Sequence, residues 1–354
     1  MDQLLKIMQE LPDDVDCAMV GSDVNRRYLT GFSSSAGVLV ITHNAAYLLV
    51  DFRYYEMAVS RAKGFEVILF KNLYDELEKL FFKLNCRDVA IEAGDITVET
   101  FDKYQKRFKS INFITDGGLD AIISRLRMTK SAGEVEKIKS AQEVADAAFS
   151  HILSFISPGK TELEIARRLN GFIMERSDGL SFETIVVSGK NSSLPHGTPS
   201  SKQIQKGDFI TMDFGALIDG YHSDMTRTIF CGKPSDDQKK LYDLVLSGQK
   251  LALEALRPGA MCCDIDDLVR KYFNGFGFNE EFGHSLGHGV GLSIHEKPSL
   301  SPKESCKLSC GMVITVEPGL YLSGKYGVRI EDMVLVCEKG CENLTKSPKE
   351  LICI

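Results

Sequence analysis

Residues 211–230, "TMDFGALIDGYHSDMTRTIF", contain two β-strand patterns separated by Asp219 and Gly220. An Asp-Gly pair favours a two-residue hairpin turn, because that turn requires positive φ at both central positions. Counting outward from the turn places Asp213 opposite Thr226 on the neighbouring strand. The stretch therefore predicts an antiparallel hairpin, and it places carboxylates inside strands that are otherwise largely apolar.

The two aspartates of this hairpin, Asp213 and Asp224, are expected to share one face, since side chains alternate with a period of two. As diagonal neighbours they would lie roughly 7 Å apart by Cα. Carboxylates this close repel each other and raise each other's pKa unless a cation lies between them. The alternative is that both are solvated on an edge hairpin. His222 lies nearer the turn and is expected to be solvated.

The chain of 354 residues suits two domains. Residues 1–122 alternate short helical patterns with short apolar runs, which predicts a small α/β domain. Residues 123–354 combine helices with antiparallel strands, so this larger domain and the protein as a whole are of the α+β class. Capping boxes predict three helix starts, and a fourth helix is expected over residues 263–274. The capping pairs are Ser131 with Glu134, Thr161 with Glu164, and Ser235 with Gln238. The strand patterns cover residues 182–188, 207–216, 221–231, 312–318 and 328–337.

Composition narrows the range of partners. The net charge of -7 gives no basic surface for a phosphate backbone, so nucleic acid is not an expected partner. The amino terminus lacks a signal-peptide pattern and no apolar run is long enough to span a membrane, which predicts a cytoplasmic protein. The ten cysteines are scattered and are expected to be reduced thiols. A small molecule or a peptide is the expected partner.

Further candidate metal ligands follow the hairpin. Residues 283–296, "GHSLGHGVGLSIHE", are too rich in glycine for a helix and contain His288. Glu317 ends one apolar strand pattern and Glu331 lies within the next. Burying a carboxylate in such a strand costs free energy unless the carboxylate has a partner. With the two aspartates, the candidates are four carboxylates and one imidazole. This set suits manganese, iron or cobalt, and it carries enough charge for two ions roughly 3.5 to 4 Å apart.

Four segments in this order resemble the signature segments of the pita-bread metallopeptidases, which include methionine aminopeptidase, aminopeptidase P and prolidase. They are "MDFGALIDGYHSDMTRT", "GHSLGHGVGLSIHE", "VEPGLY" and "GVRIED". The resemblance covers about residues 125–354. In the amino-terminal part, "YLTGFSSSAGVLVIT" and "AYLLVDFRYYEMA" resemble the domain that precedes the catalytic one in aminopeptidase P, prolidase and creatinase. The implied architecture is a creatinase-like α/β domain followed by a pita-bread catalytic domain.

The resemblance also implies roles for individual residues. The five candidates, Asp213, Asp224, His288, Glu317 and Glu331, match the ligands of a dinuclear metal site. The implied cofactors are two divalent ions, with Mn²⁺ first and Co²⁺, Zn²⁺ or Fe²⁺ as alternatives. His196 in "SLPHGTP" matches a histidine near the scissile bond, His295 matches another histidine that lines the pocket, and His284 matches a supporting histidine. Thr226 and Arg329 match residues that orient the ligands.

The implied activity is hydrolysis of the bond before proline at the amino terminus of peptides, with Glu317 as the acid/base. This bond needs a dedicated pocket because proline has no amide hydrogen and a fixed φ. Ser299 stands where some prolidases have an arginine that binds a dipeptide's carboxylate. The absence of this arginine favours a Xaa-Pro aminopeptidase, with a Xaa-Pro dipeptidase as the alternative. A non-catalytic peptide-binding module and a creatinase-like hydrolase are remote alternatives. A homodimer is expected.

Overall fold

The computed structural model describes residues 2–354. The chain divides into two compact units. The first unit ends at Arg127 and the second begins at Met128. The boundary placed after residue 122 from the sequence lies within the helix Gly118–Met128, so the chain continues as a helix through that point. No helix among residues 2–354 is long and apolar enough to cross a membrane. All ten cysteines are free thiols.

The amino-terminal unit contains one six-stranded sheet in the order β4-β3-β2-β1-β5-β6. Its helices are α1 (Asp2–Glu10), α2 (Asp23–Thr30), α3 (Tyr55–Arg61), α4 (Leu73–Leu84), α5 (Val98–Arg107) and α6 (Gly118–Met128). Its strands are β1 (Cys17–Val20), β2 (Val38–Thr42), β3 (Ala46–Val50), β4 (Glu66–Leu69), β5 (Asp88–Ile91) and β6 (Asn112–Ile114). Strands β1 to β3 pair antiparallel, and the pairs β3–β4, β1–β5 and β5–β6 are parallel.

Both faces of this sheet are covered by helices. Successive residues of β1 point to opposite sides: Ala18 and Val20 pack with residues of α1, α2, α3 and α6, whereas Cys17 and Met19 pack with residues of α4 and α5. The central strands are therefore apolar without alternation, as expected for a sheet buried on both faces. This arrangement confirms the predicted α/β character of the amino-terminal part.

The carboxy-terminal unit combines four long helices with several small sheets. Its helices are α7 (Ala132–Leu153), α8 (Glu162–Met174), α9 (Asp236–Ala255) and α10 (Cys262–Asn274), with a 3₁₀ helix at Gly189–Ser193. Its strands are β7 (Gly179–Leu180), β8 (Ile185–Ser188), β9 (Phe209–Phe214), β10 (Ala216–Ile218), β11 (Tyr221–His222), β12 (Met225–Phe230), β13 (Gly287–Gly289), β14 (Glu296–Leu300), β15 (Val313–Val316), β16 (Gly319–Leu322), β17 (Tyr326–Arg329), β18 (Asp332–Cys337) and β19 (Gly340–Asn343).

The helices begin where the sequence predicted. Helices α7, α8 and α9 each open with a reciprocal capping box, so the cap side chain and the glutamate or glutamine three residues later satisfy each other's backbone N–H groups. Side chains of α7 and α8 pack against strands β8, β9 and β12, and side chains of α9 and α10 pack with those of β15 and β18. The helices thus cover two of the sheets of this unit.

The predicted hairpin is present with the predicted register. Asp219 and Gly220 have φ of 46° and 74°, and Thr226 lies opposite Asp213. The hairpin is divided between two sheets, because β9 and β12 pair in one and β10 and β11 pair in another. The division falls at Gly215, where the backbone approaches the opposite strand very closely.

The strand expected over residues 328–337 is interrupted, which corrects the sequence-based prediction. Strand β17 pairs with β16, whereas β18 pairs with β15 in a different sheet. The chain passes from one sheet to the other at Ile330 and Glu331, and the Glu331 N–H donates instead to the Thr226 carbonyl at 3.1 Å. Glu331 therefore lies in the break and not within a regular strand.

The close approach at Gly215 predicts that a side chain is not tolerated there. A Cβ atom at this position would lie 1.9 Å from the Ser223 carbonyl oxygen, which is backbone and has no room to move. Gly215→Ala should lower the free energy of unfolding by about 2 to 3 kcal/mol. Gly179→Ala, where no atom lies within 4 Å of the added Cβ, is the matched control. Urea unfolding followed by circular dichroism compares the two; equal stability of both variants would contradict the prediction.

Candidate metal centre

Five side chains from distant parts of the carboxy-terminal unit line one cavity of about 440 Å³. Three of them come from the ends or breaks of strands, where the backbone can turn a side chain inward. They are Asp213 in β9, Asp224 just before β12, His288 in β13, Glu317 just after β15, and Glu331 between β17 and β18. These are the five ligands that the sequence predicted, and the structure brings all of them together.

The imidazole of His288 lies at the centre of this group. Its Nε2 atom is 3.5 Å from Asp224 Oδ2 and 3.4 Å from Glu317 Oε1. Its Nδ1 atom is 3.0 Å from the Gly289 carbonyl oxygen, which can only accept, so Nδ1 carries the proton. Burial lowers the pKa of His288. The Nε2 lone pair of a neutral ring therefore faces two carboxylates, an arrangement that a shared cation would stabilise.

Three of the carboxylates titrate abnormally because they are buried together. Burial raises the pKa of Asp224 well above its ordinary value, and the charges of Glu331 and Asp213 raise it further. Burial and the charge of Glu317 likewise raise the pKa of Glu331. Burial raises the pKa of Glu317 to about 8, although Arg329 opposes this change. Without a cation, these groups therefore retain protons at pH values where an exposed carboxyl group is ionised.

The donor set fits divalent metal ions. Asp224, His288 and Glu331 each offer an atom, and these atoms all lie within 4.8 Å of one another. Two further buried oxygens, Asp213 Oδ1 and Glu331 Oε1, have no hydrogen-bond partner among residues 2–354. Buried carboxylate oxygens without a partner are uncommon in folded proteins, and a divalent ion would supply the missing partner. Oxygen donors with one imidazole are suited to hard or borderline divalent cations.

Arg329 and Thr226 hold two of the carboxylates in place. Arg329 Nη2 donates to Asp213 Oδ2 at 2.6 Å, and its Nε donates to Thr226 Oγ1 at 3.1 Å. Thr226 in turn donates to Glu331 Oε2 at 2.7 Å. Thr226 faces Asp213 across the strands, a position from which it could orient this carboxylate. Its hydroxyl is bonded to Glu331 instead, and the guanidinium of Arg329 orients Asp213.

Two residues of this network were not identified from the sequence. The Tyr321 hydroxyl accepts from Arg329 Nη1 at 2.9 Å and lies 3.0 Å from His284 Nε2, so it links the two. The Thr315 hydroxyl donates to Glu317 Oε1 at 3.2 Å and accepts from the backbone N–H of His288 at 3.0 Å. Thr315 lies two residues before Glu317 on the same side of the strand, a spacing that the sequence could have indicated.

The three histidines assigned by resemblance all line the cavity, at different depths. His295 packs edge-on against His288 with ring centroids 4.4 Å apart, and burial lowers its pKa. Burial and the charge of Arg329 lower the pKa of His284 to about 4. His284 Nδ1 lies 2.8 Å from the Ser285 carbonyl oxygen and is protonated, so its Nε2 accepts from Tyr321. His196 is exposed at the surface of the cavity.

The expectation that His222 is solvated was wrong. The side chain is partly buried, and its Nδ1 atom lies 2.9 Å from Ser181 Oγ and 3.1 Å from the Ser181 carbonyl oxygen. Burial lowers its pKa. Strand β7 pairs with β10, and Ser181, which follows β7, covers the His222 side chain. The position of His222 along the hairpin did not indicate this cover.

Comparison with known proteins identifies the family. The model of metallopeptidase family M24 matches residues 136–338, and the model of the creatinase/prolidase N-terminal domain matches residues 1–129. The chain belongs to metallopeptidase family M24. Membership confirms the expected fold class and an enzyme of the metal-dependent peptidase type. It also implies divalent metal ions, while the identity of the ion stays a prediction.

Relatives of this M24 chain match it almost from end to end. A Xaa-Pro dipeptidase of Pyrococcus furiosus is 37% identical, and the match covers 99% of each chain. The structure of a Xaa-Pro dipeptidase from Bacillus anthracis superimposes with a TM-score of 0.96 at 39% identity, covering 100% of this chain and 99% of the other. The structure of an X-Pro aminopeptidase from Thermotoga maritima gives a TM-score of 0.88 at 36% identity, covering 96% and 98%.

The raised pKa of Glu317 predicts how the metal-free enzyme responds to pH. Between its ordinary value of 4.5 and its folded value of about 8, the folded state holds a proton that the unfolded state has lost. The free energy of unfolding should therefore fall as pH rises across this window. Glu317→Gln cannot ionise and should reduce this slope, while the raised pKa values of Asp224 and Glu331 maintain the rest of it. Urea unfolding of chelator-treated protein at several pH values measures the slope. Identical slopes for the wild type and Glu317→Gln would contradict the raised pKa assigned to Glu317.

Proposed function

We propose that this protein is a Xaa-Pro dipeptidase whose divalent metal ions are held by Asp213, Asp224, His288, Glu317 and Glu331. One observation carries the proposal: four carboxylates and one imidazole line one cavity in a chain that a Xaa-Pro dipeptidase matches over 99% of both lengths. Fold alone does not determine activity, but the site residues and the whole-length match agree. Mn²⁺ is the ion that we propose for this oxygen-rich donor set.

The preference for an aminopeptidase that Ser299 suggested is replaced here by the dipeptidase alternative. Ser299 lies in β14 and is not among the described residues that line the cavity; its hydroxyl lies 2.9 Å from that of Ser301. The residue at this position is therefore a weak guide to how the substrate's carboxylate is bound. Xaa-Pro aminopeptidase activity stays a second candidate because of the similarity to the Thermotoga maritima structure.

The chemistry divides between the ions and the side chains around them. When bound, divalent ions polarise a carbonyl group and make water nucleophilic at neutral pH. Glu317 is the proposed acid/base because it lines the cavity and its Oε1 atom lies 3.4 Å from His288 Nε2, among the proposed metal ligands. The Thr315 hydroxyl fixes Glu317 Oε1 and so directs the second carboxylate oxygen of this residue. His196 and His295 are the proposed donors to the oxygen of the scissile carbonyl.

The metal ligands are tested by removing the central imidazole. His288→Ala should lose divalent-ion binding by at least tenfold and Xaa-Pro hydrolysis by at least a hundredfold, because one ligand is deleted while the carboxylates stay. His151→Ala is the matched control, since His151 stacks on Phe172 outside the cavity. Isothermal titration with Mn²⁺ and a peptidase assay measure the two effects. Near-normal binding by His288→Ala would exclude it as a ligand.

The dipeptidase activity is tested by substrate length. The enzyme should hydrolyse Ala-Pro with a kcat/KM at least tenfold above that for Ala-Pro-Ala when assayed with Mn²⁺. A dipeptidase site recognises the free carboxylate of proline, and the tripeptide replaces this carboxylate with an amide. Product analysis by chromatography gives both values under the same conditions. A preference for the tripeptide would establish the aminopeptidase alternative instead.

A further inference from the structure

The wall of the cavity carries a fifth carboxylate that the metal site does not use. Glu183 lines the cavity, its side chain is exposed, and it makes no hydrogen bond or ion pair with any residue among 2–354. It lies two residues before Ile185, which pairs with Asp213 across β8 and β9. Glu183 is therefore close in sequence to the strand that borders the metal centre, but it is not buried with the metal ligands.

Nothing in the described lining neutralises Glu183. The lining contains one arginine or lysine, Arg329, and its guanidinium is already bonded to Asp213. The other four carboxylates of the cavity have the metal ions as their proposed partners. Glu183 thus presents a negative charge that is available to a substrate.

The surroundings of Glu183 indicate which kind of cation fits. Four apolar side chains line the same cavity: Phe182, Ile185, Pro195 and Ile294. An apolar wall beside an isolated carboxylate suits a side chain with an aliphatic stem and a charged end, since the stem can be buried while the end pairs with the acid. Lysine and arginine have this form.

We propose that Glu183 selects substrates whose first residue is lysine or arginine, so that the preferred substrates are Lys-Pro and Arg-Pro. The proposal rests on the function proposed above and specifies the substrate of the same site. The α-ammonium group is present on every unmodified peptide, so pairing with that group would give no selectivity. Pairing with the side chain of the first residue does discriminate between substrates.

The test compares Lys-Pro with norleucine-Pro, which has the same unbranched stem without the ammonium group. The ratio of their kcat/KM values should fall about fivefold in Glu183→Gln, since a solvent-accessible ion pair contributes up to about 1 kcal/mol. The effect on the wild-type ratio should shrink in high salt, because the pair is open to solvent. Glu254→Gln, an exposed glutamate of α9 outside the cavity lining, is the control and should leave the ratio unchanged.

The possible outcomes separate this proposal from the proposed function. If Glu183→Gln lowers hydrolysis of both peptides equally, Glu183 interacts with the shared α-ammonium group and the selectivity proposal is overturned. An unchanged ratio with normal rates overturns it as well, while leaving the dipeptidase function intact. If the Mn²⁺-loaded wild-type enzyme hydrolyses neither peptide nor Ala-Pro, the proposed function fails, and the selectivity fails with it.

Discussion

The structure of the catalytic unit depends on how the repulsion among four buried carboxylates is relieved. Asp213, Asp224, Glu317 and Glu331 share one cavity with the lone pair of a neutral His288. Arg329 neutralises part of this charge through Asp213. The remainder is relieved either by protons, as the raised pKa values of the other three indicate, or by metal ions. Metal binding and proton release are therefore linked in this protein.

The fold prevents the carboxylates from relieving this repulsion by moving apart. Glu317 and Glu331 lie where the backbone leaves one sheet or joins another, and their main chains are bonded to neighbouring elements. The Glu317 N–H donates to the Leu286 carbonyl at 2.8 Å, and the Glu331 N–H donates to the Thr226 carbonyl at 3.1 Å. The breaks that interrupt the hairpin and the strand after Arg329 thus place Asp224 and Glu331, two of the proposed metal ligands. In a regular continuous strand, Glu331 would have pointed to one face of a single sheet. The break places it instead at the junction between two sheets.

Local sequence patterns predicted the parts of this site that depend on short-range geometry. The Asp219-Gly220 turn sets the register, and the register alone places Asp213 opposite Thr226. The hydrogen-bond partners of these residues could not be predicted, because they come from strands about a hundred residues away. Thr226 is bonded to Glu331 and not to the aspartate it faces, and Tyr321 joins Arg329 to His284. The prediction for His222 was wrong because its cover comes from Ser181, which lies 41 residues earlier in the chain.

The cavity also separates two electrostatic functions that one set of acids could not perform together. The buried carboxylates need their charge for metal ions, and any substrate group that competed for them would weaken metal binding. A carboxylate outside that group can pair with a substrate without this cost, because no metal ligand is shared. Glu183 is in this position: it is exposed, and the nearby apolar residues Phe182 and Ile185 line the same cavity. Substitution there can therefore alter substrate choice while the metal centre is kept unchanged.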